Sequence, residues 1–149
     1  MAIGNLKKKI IIYTDGACKG NPGKGGWGVV IIDNNISKEL SGSSNNTTNN
    51  IMEMTAAIEA LSYFKSSKDI LIFTDSKYVL LGITEWVHNW KSNNWVNKKK
   101  EQIKNKTLWL ELDRLNDFHS VKWQWVKAHN GDPGNERADY LASQAATDL

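Results

Sequence analysis

Two short apolar runs in this chain end on an aspartate: Ile11-Ile12-Tyr13-Thr14-Asp15 and Leu71-Ile72-Phe73-Thr74-Asp75. Apolar and β-branched runs of this length suit strands buried in a sheet, whereas aspartate is a poor strand residue. In open α/β sheets, ligands gather outside the carboxyl ends of the strands. If the two runs lie side by side in parallel, Asp15 and Asp75 meet at one sheet edge. Carboxylates held that close repel, and need a proton or a divalent cation between them. Each aspartate alone reads more readily as a turn residue at a strand end; the matching contexts favour a joint chemical role.

Two further acids are weaker candidates. Glu53 opens a helical stretch of apolar and small residues, where the helix dipole alone accounts for an acid at roughly 0.3–1 kcal/mol. Asp139 lies one turn into the last helical segment, on the face shared with Asn135, and dipole complementation explains it equally well. Were all four to converge, they would form an oxygen-rich site for a hard cation such as magnesium. No Cys/His spacing points to zinc. Two divalent ions about 3.5–4 Å apart can clamp an in-line phosphoryl displacement. His129, amid Lys127-Ala128-His129-Asn130-Gly131, sits in a small, flexible context and is evenly balanced between a proton-transfer role and none. His88 and His119 receive no role.

The elements that must position these residues follow from periodicity. Strands are expected over 9–14, Trp27–Ile32, Ile36–Ser43, Ile70–Thr74 and Val121–Val126, with Asp33-Asn34-Asn35 as a hairpin turn. The glycines between Gly16 and Gly28 are expected to make a flexible connection or a hairpin needing positive φ. They lack the Gly-Lys-Ser/Thr of a P-loop. Ser41–Asn50 is expected to be a loop, followed by a helix over Ile51–Phe64 capped by Asn49 or Asn50. Ser76 is a cap for a helix through Leu81, which Gly82 breaks or bends before a second piece, Ile83–Trp90. Helices are expected over Gln102–Leu115 and Asn135–Thr147, with loops at Lys91–Asn97 and Ala128–Gly134. Strands first, then strands alternating with helices, give an α/β fold: a mixed sheet flanked by helices.

The chain has 149 residues, enough for one domain with its own core, and a formal charge of +3. No apolar run approaches the length of about 18 residues that a membrane span needs. Met1–Lys9 has a basic cluster without the apolar segment of a signal peptide. The single cysteine, Cys18, precludes an internal disulfide. These features give a cytoplasmic expectation. Lys91, Lys98, Lys99, Lys100, Lys104 and Lys106 crowd a segment whose one acid is Glu101, which suits either a polyanion or a solvated face. Most of the seven tryptophans read as core; Trp95, amid Asn and Lys, is expected to be an exposed stacking residue.

Taken in order, Thr14-Asp15-Gly16-Ala17-Cys18, Asn21-Pro22-Gly23, Thr48-Asn49-Asn50-Ile51-Met52-Glu53, Phe73-Thr74-Asp75-Ser76-Lys77-Tyr78-Val79, Trp125-Val126-Lys127-Ala128-His129 and Asn135-Glu136-Arg137-Ala138-Asp139 resemble bacterial ribonuclease HI. The resemblance runs from about Lys9 to Ala146 and is specific as a combination. It implies a five-stranded mixed sheet, the ribonuclease H-like fold, and an endonuclease that cuts the RNA strand of RNA–DNA hybrids, leaving 5′-phosphate and 3′-hydroxyl ends. By motif match, Asp15, Glu53, Asp75 and Asp139 would be metal ligands, with Mg2+ or Mn2+ as the ion and two ions during catalysis. His129 would assist proton transfer or product release. Asn21, Asn49 and Asn50 would contact the hybrid's minor groove, with Thr48 and Ser76 as weaker backbone contacts. Lys98, Lys99 and Lys100 would belong to a basic protrusion near 91–106, within one catalytic domain over 9–149. Residues 1–8 would be a flexible extension. A monomer with no membrane and no obligate protein partner is expected. The chain has Ala128 where the family often has Gly, which is expected to stiffen the loop.

Three rival readings compete with this one. A non-catalytic module would be expected to lack a carboxylate. An aspartyl-phosphate phosphatase usually has a second Asp two residues on, where Ala17 stands. A transposase-like nuclease of the same broad fold would act on DNA, and short length with a basic protrusion argues against it.

Overall fold

A computed structural model describes residues 9–148; the proposed extension over 1–8 lies outside them. Its sheet has five strands: β1 (Ile10–Gly20), β2 (Gly23–Asp33), β3 (Ile36–Thr47), β4 (Asp69–Thr74) and β5 (Ser120–Trp125). They are ordered β3-β2-β1-β4-β5. The β1–β2 and β2–β3 pairs are antiparallel, and β1–β4 and β4–β5 are parallel. The sheet is therefore mixed and five-stranded, as expected.

The glycine-rich segment is not a loose connection but a hairpin, the second of the two expectations, with Gly20 at φ +87 in its turn. Its residues belong to β1 and β2 and pair in register, Asp15 with Gly28 and Gly16 with Trp27. The glycines allow helices to press onto both faces of the sheet. A Cβ on Gly16 would lie 2.5 Å from the backbone nitrogen of Glu53 on one side, and a Cβ on Gly28 would strike the carbonyl of Ala138 on the other. The expected loop at Ser41–Asn50 is likewise corrected: β3 runs on to Thr47. Its Ser and Asn residues are strand-compatible because β3 is an edge strand whose side chains are mostly exposed.

α1 (Asn49–Ser62) starts earlier than expected and is capped by Thr48, whose hydroxyl accepts from the Ile51 N–H at 3.2 Å, rather than by Asn49 or Asn50. α2 (Lys77–Leu81) is capped by Ser76, accepting from the Val79 N–H at 3.1 Å. A π-helical turn, Gly82–Trp86, then leads into α3 (Val87–Ser92). Gly82 keeps a helical backbone there; a Cβ would collide with the indole of Trp109, so packing decides the residue. α4 (Lys106–Phe118) begins later than expected, because Asn105 adopts φ +60 and Gln102 bridges to Val96. α5 (Pro133–Thr147) closes the fold.

Ile12, Ile70 and Ile72 of the sheet pack with Met54, Ala57 and Leu61 of α1, Val79 of α2, and Trp109 and Leu112 of α4 to make the core. His119 is buried in that region, its Nδ1 accepting from the Lys68 N–H at 3.0 Å and its Nε2 2.9 Å from the Leu61 carbonyl oxygen. Among the described residues no helix is long and apolar enough to cross a membrane.

Candidate active site

The site begins with strand register. Thr14 and Thr74 are partners in the parallel β1–β4 ladder, so the residues that follow them, Asp15 and Asp75, emerge together at the carboxyl edge. β4 ends at Thr74, while β1 continues to Gly20 against β2. The crevice lies where β1 loses its parallel neighbour.

Glu53 arrives from the opening turns of α1, lowered onto the sheet by the missing side chain of Gly16. One carboxylate oxygen from each of Asp15, Glu53 and Asp75 lies within 4.8 Å of the others. Asp15 is 4% and Glu53 5% exposed; Asp75 is half-buried. Asp15 Oδ1 accepts from the Gly16 N–H at 2.9 Å. Glu53 Oε1 is buried with no hydrogen-bond partner among the described residues.

Crowding acids in this way makes their charged forms costly. Burial first, then the charge of Asp75 and contact with the Asp139 carboxyl, push Asp15 up to about 9; the Gly16 N–H acts the other way. Burial, then Asp15 and Asp75, hold Glu53 well above the usual carboxylate range. Without a cation, protons must neutralise the site at neutral pH. An all-oxygen donor set containing an unpartnered buried oxygen fits a hard divalent cation, which would take the protons' place.

α5 supplies the fourth wall. Asp132 caps it, accepting from the N–H groups of Gly134 and Asn135 at 3.0 and 3.2 Å. Asn135, 2% exposed, donates from Nδ2 to Asp75 Oδ2 at 3.3 Å. One turn on, the Asp139 side chain lies against Asp15 but outside the close trio. Asn135 is a residue that motif spacing pointed to only as a companion of Asp139 on the same helix face. Trp125 and Lys77 join the site without having been singled out by spacing. The Trp125 indole donates to the Asp75 carbonyl at 3.3 Å, and Lys77 Nζ sits 4.8 Å from the Trp125 ring centroid. Neither carries a sequence signal that separates it from an ordinary strand-end aromatic or a solvated lysine.

The other expected residues are distributed around this edge. His129 is exposed in the loop between β5 and α5 at φ +55. Positive φ in that loop falls on His129 and Gly131, not on Ala128, so alanine is accommodated there without backbone strain. Asn21, at the β1–β2 turn, accepts through Oδ1 from the Asn49 N–H at 3.2 Å, which brings the turn to the start of α1 beside Asn50. The hydroxyls of Thr48 and Ser76 are engaged as helix caps, and Ser76 is buried.

Trp95 is not the exposed aromatic expected from its polar neighbours. It is half-buried against the core, its ring 6.0 Å from that of Trp90, because the chain turns inward through positive φ at Asn94 and Trp95. Lys98, Lys99 and Lys100 are exposed, and Lys98 and Lys100 border an open hollow of about 670 Å³ with Trp90 and Asn93.

The RNase H family model matches residues 7–147. The chain is 53% identical to the ribonuclease H of Francisella tularensis subsp. novicida strain U112, an alignment covering 100% of this chain and 98% of that protein. It is 52% identical, with the same coverage, to the ribonuclease H of Francisella philomiragia. Among solved structures it is similar to LC9-RNase H1, a type 1 RNase H with the type 2 active-site motif. That match has TM-score 0.86 and 31% identity, covering 97% of this chain and 75% of that one. It is also similar to LC11-RNase H1, solved in complex with an RNA/DNA hybrid, with TM-score 0.70 and 25% identity over 94% and 98% of the two chains.

Proposed function

The chain belongs to the ribonuclease H family, and from that premise we propose that it is a divalent-metal-dependent endonuclease. It hydrolyses the RNA strand of RNA–DNA hybrids and leaves 5′-phosphate and 3′-hydroxyl ends. The observation that carries the reading is the meeting of Asp15, Glu53 and Asp75 within 4.8 Å, in a pocket too crowded for three free negative charges.

Asp15, Glu53, Asp75 and Asp139 would hold the ions: Mg2+, with Mn2+ as the alternative, and two of them during the cut. Bound there, the ions supply the Lewis acidity that activates water and stabilises the leaving oxygen. The imidazole of His129 moves a proton to the departing 3′-oxygen or away from the attacking water, and its exposed loop lets product leave. Asn21, Asn49 and Asn50 read the 2′-hydroxyls of the RNA strand across the minor groove, where short amides can donate and accept. Thr48 and Ser76 fix the helix starts that face the nucleic-acid backbone. Lys98, Lys99 and Lys100 grip phosphates without reading sequence. Trp95, packed on Trp90, props the segment that carries them.

We further propose that 9–149 act as one catalytic domain with a basic protrusion over 91–106. It works as a cytoplasmic monomer with no obligate protein partner, a reading supported by Asp15, Glu53 and Asp75 meeting within a single chain. The test is a gel assay on matched hybrid, double-stranded RNA and double-stranded DNA, each with Mg2+ and with chelator. Cutting confined to the RNA of the hybrid and abolished by chelator is expected. Cutting that survives chelator, or a preference for double-stranded DNA, would refute the proposal.

A further inference from the structure

Asn135 places a buried amide against the outermost carboxylate of the trio. Its Nδ2 lies 3.3 Å from Asp75 Oδ2, and its side chain is 2% exposed. Its own backbone is fixed by Asp132 Oδ1, 3.2 Å from the Asn135 nitrogen at the start of α5. The other end of Asp75 is also held, its carbonyl accepting from the Trp125 indole at 3.3 Å. Asp75 is thus gripped from two elements it is not bonded to in sequence.

The helix that does this also carries Asp139, four residues on. Four residues of α-helix rise about 6 Å, close to the roughly 4.8 Å between neighbouring strands. α5 can therefore reach from the end of β4 across to β1 with one face, Asn135 touching Asp75 just beyond β4 and Asp139 touching Asp15 within β1. The two contacts differ in chemistry. Asp139 adds an acid to the cluster, whereas Asn135 adds a neutral donor.

We propose that Asn135 is a positioning residue for the metal site: its amide commits Oδ2 of Asp75 to the protein and turns Oδ1 toward the cation. This rests on the reading of Asp75 as a metal ligand. A carboxylate hydrogen-bonded at one oxygen is restricted in rotamer and presents its other oxygen, with both lone pairs free, to a cation. Without the amide, Asp75 must be ordered by the cation itself, and affinity falls. A partner behind a metal ligand typically contributes 10–100-fold in metal affinity or activity.

The test uses the full chain with Asn135→Ala, Asn135→Gln (which keeps the amide donor, one methylene farther out) and Asp75→Asn as control. Mg2+ binding is followed by calorimetry on hybrid-free protein, and the Mg2+ dependence of cleavage is measured beside it. Asn135→Ala is expected to raise the half-saturating Mg2+ concentration roughly tenfold or more, with hybrid affinity in chelator unchanged, and Asn135→Gln to recover part of the loss. Unaltered Mg2+ binding in Asn135→Ala, while Asp75→Asn loses it, would overturn the positioning role alone. Mg2+ binding and cleavage that survive Asp75→Asn would overturn the underlying site. Should the Asn135 variants not fold, the side-chain amide resonances of Asn135 in the unmodified protein decide: they should shift on adding Mg2+, and silence there, with Asp75 responding, would reject the proposal.

Discussion

Gly16 lies directly beneath Glu53, with the space for a Cβ only 2.5 Å from the Glu53 backbone nitrogen. The neighbour is helix backbone rather than a flexible side-chain tip, so it cannot move without moving α1. Gly16→Ala should therefore lift α1 and withdraw Glu53 from Asp15 and Asp75. Overpacking of this kind costs about 1–3 kcal/mol. Urea unfolding should register that loss, and hybrid cleavage should fall roughly tenfold or more as the site is misplaced. Full activity at unchanged stability would mean that α1 can shift without affecting the site.

The raised pKa of Asp15 sets the direction of a pH effect. Its carboxyl titrates near 9 when folded against a usual 3.8, so the folded state binds the extra proton between those values. The resulting stability is complete below about pH 4 and is lost as pH rises through about 9. Metal-free protein should melt at progressively lower temperature across that window, and Mg2+ should reverse the trend at its alkaline end. Asp15→Asn should make the profile shallower, leaving the part that the buried Glu53 contributes with the same sign, and abolish turnover while leaving the fold intact. Thermal melts from about pH 5 to 9, with chelator and with Mg2+, measure both. A melting temperature that climbs toward the alkaline end in chelator would contradict the assignment.

His129 is exposed and belongs to a loop rather than to the carboxylate cluster. His129→Ala should slow cleavage on the order of 10²-fold, the scale of one general acid–base group. Single-turnover rates and steady-state rates separate its two proposed parts: a chemical defect slows both, and a release defect slows only the second. An unchanged rate in both would remove its role.

Replacing Lys98, Lys99 and Lys100 together with Ala should weaken hybrid binding and flatten its dependence on salt. The log–log slope should shrink by roughly 0.9 for each phosphate that is no longer neutralised. Binding isotherms in chelator across a salt series test this. An identical slope would mean that the three lysines only keep the surface soluble.

Periodicity and contiguous motifs make much of this protein legible from its sequence. The twin runs ending at Asp15 and Asp75 stand out because a buried parallel strand must be apolar and its end need not be. The mixed five-stranded sheet follows from strands that precede, then alternate with, helical patterns. Glu53, Asp139 and His129 stand out through family resemblance; by local pattern alone the two acids are better explained by helix dipoles, although in the fold neither lies in the first turn of its helix. Whatever depends on the distance between elements had to await the packed fold. The glycines of β1 and β2 are readable as a hairpin with positive φ, but not as the thin layer that lets helices press on both faces. The polar end of β3 read as a loop because an edge strand need bury little. Trp95 read as exposed because the positive φ that turns it inward leaves no mark in residue type. Asn135 could be placed on a helix face from spacing, but its partner at the end of β4 is 60 positions away in the chain. Local sequence encodes which way a side chain points from its own element; what it meets is settled by how those elements pack.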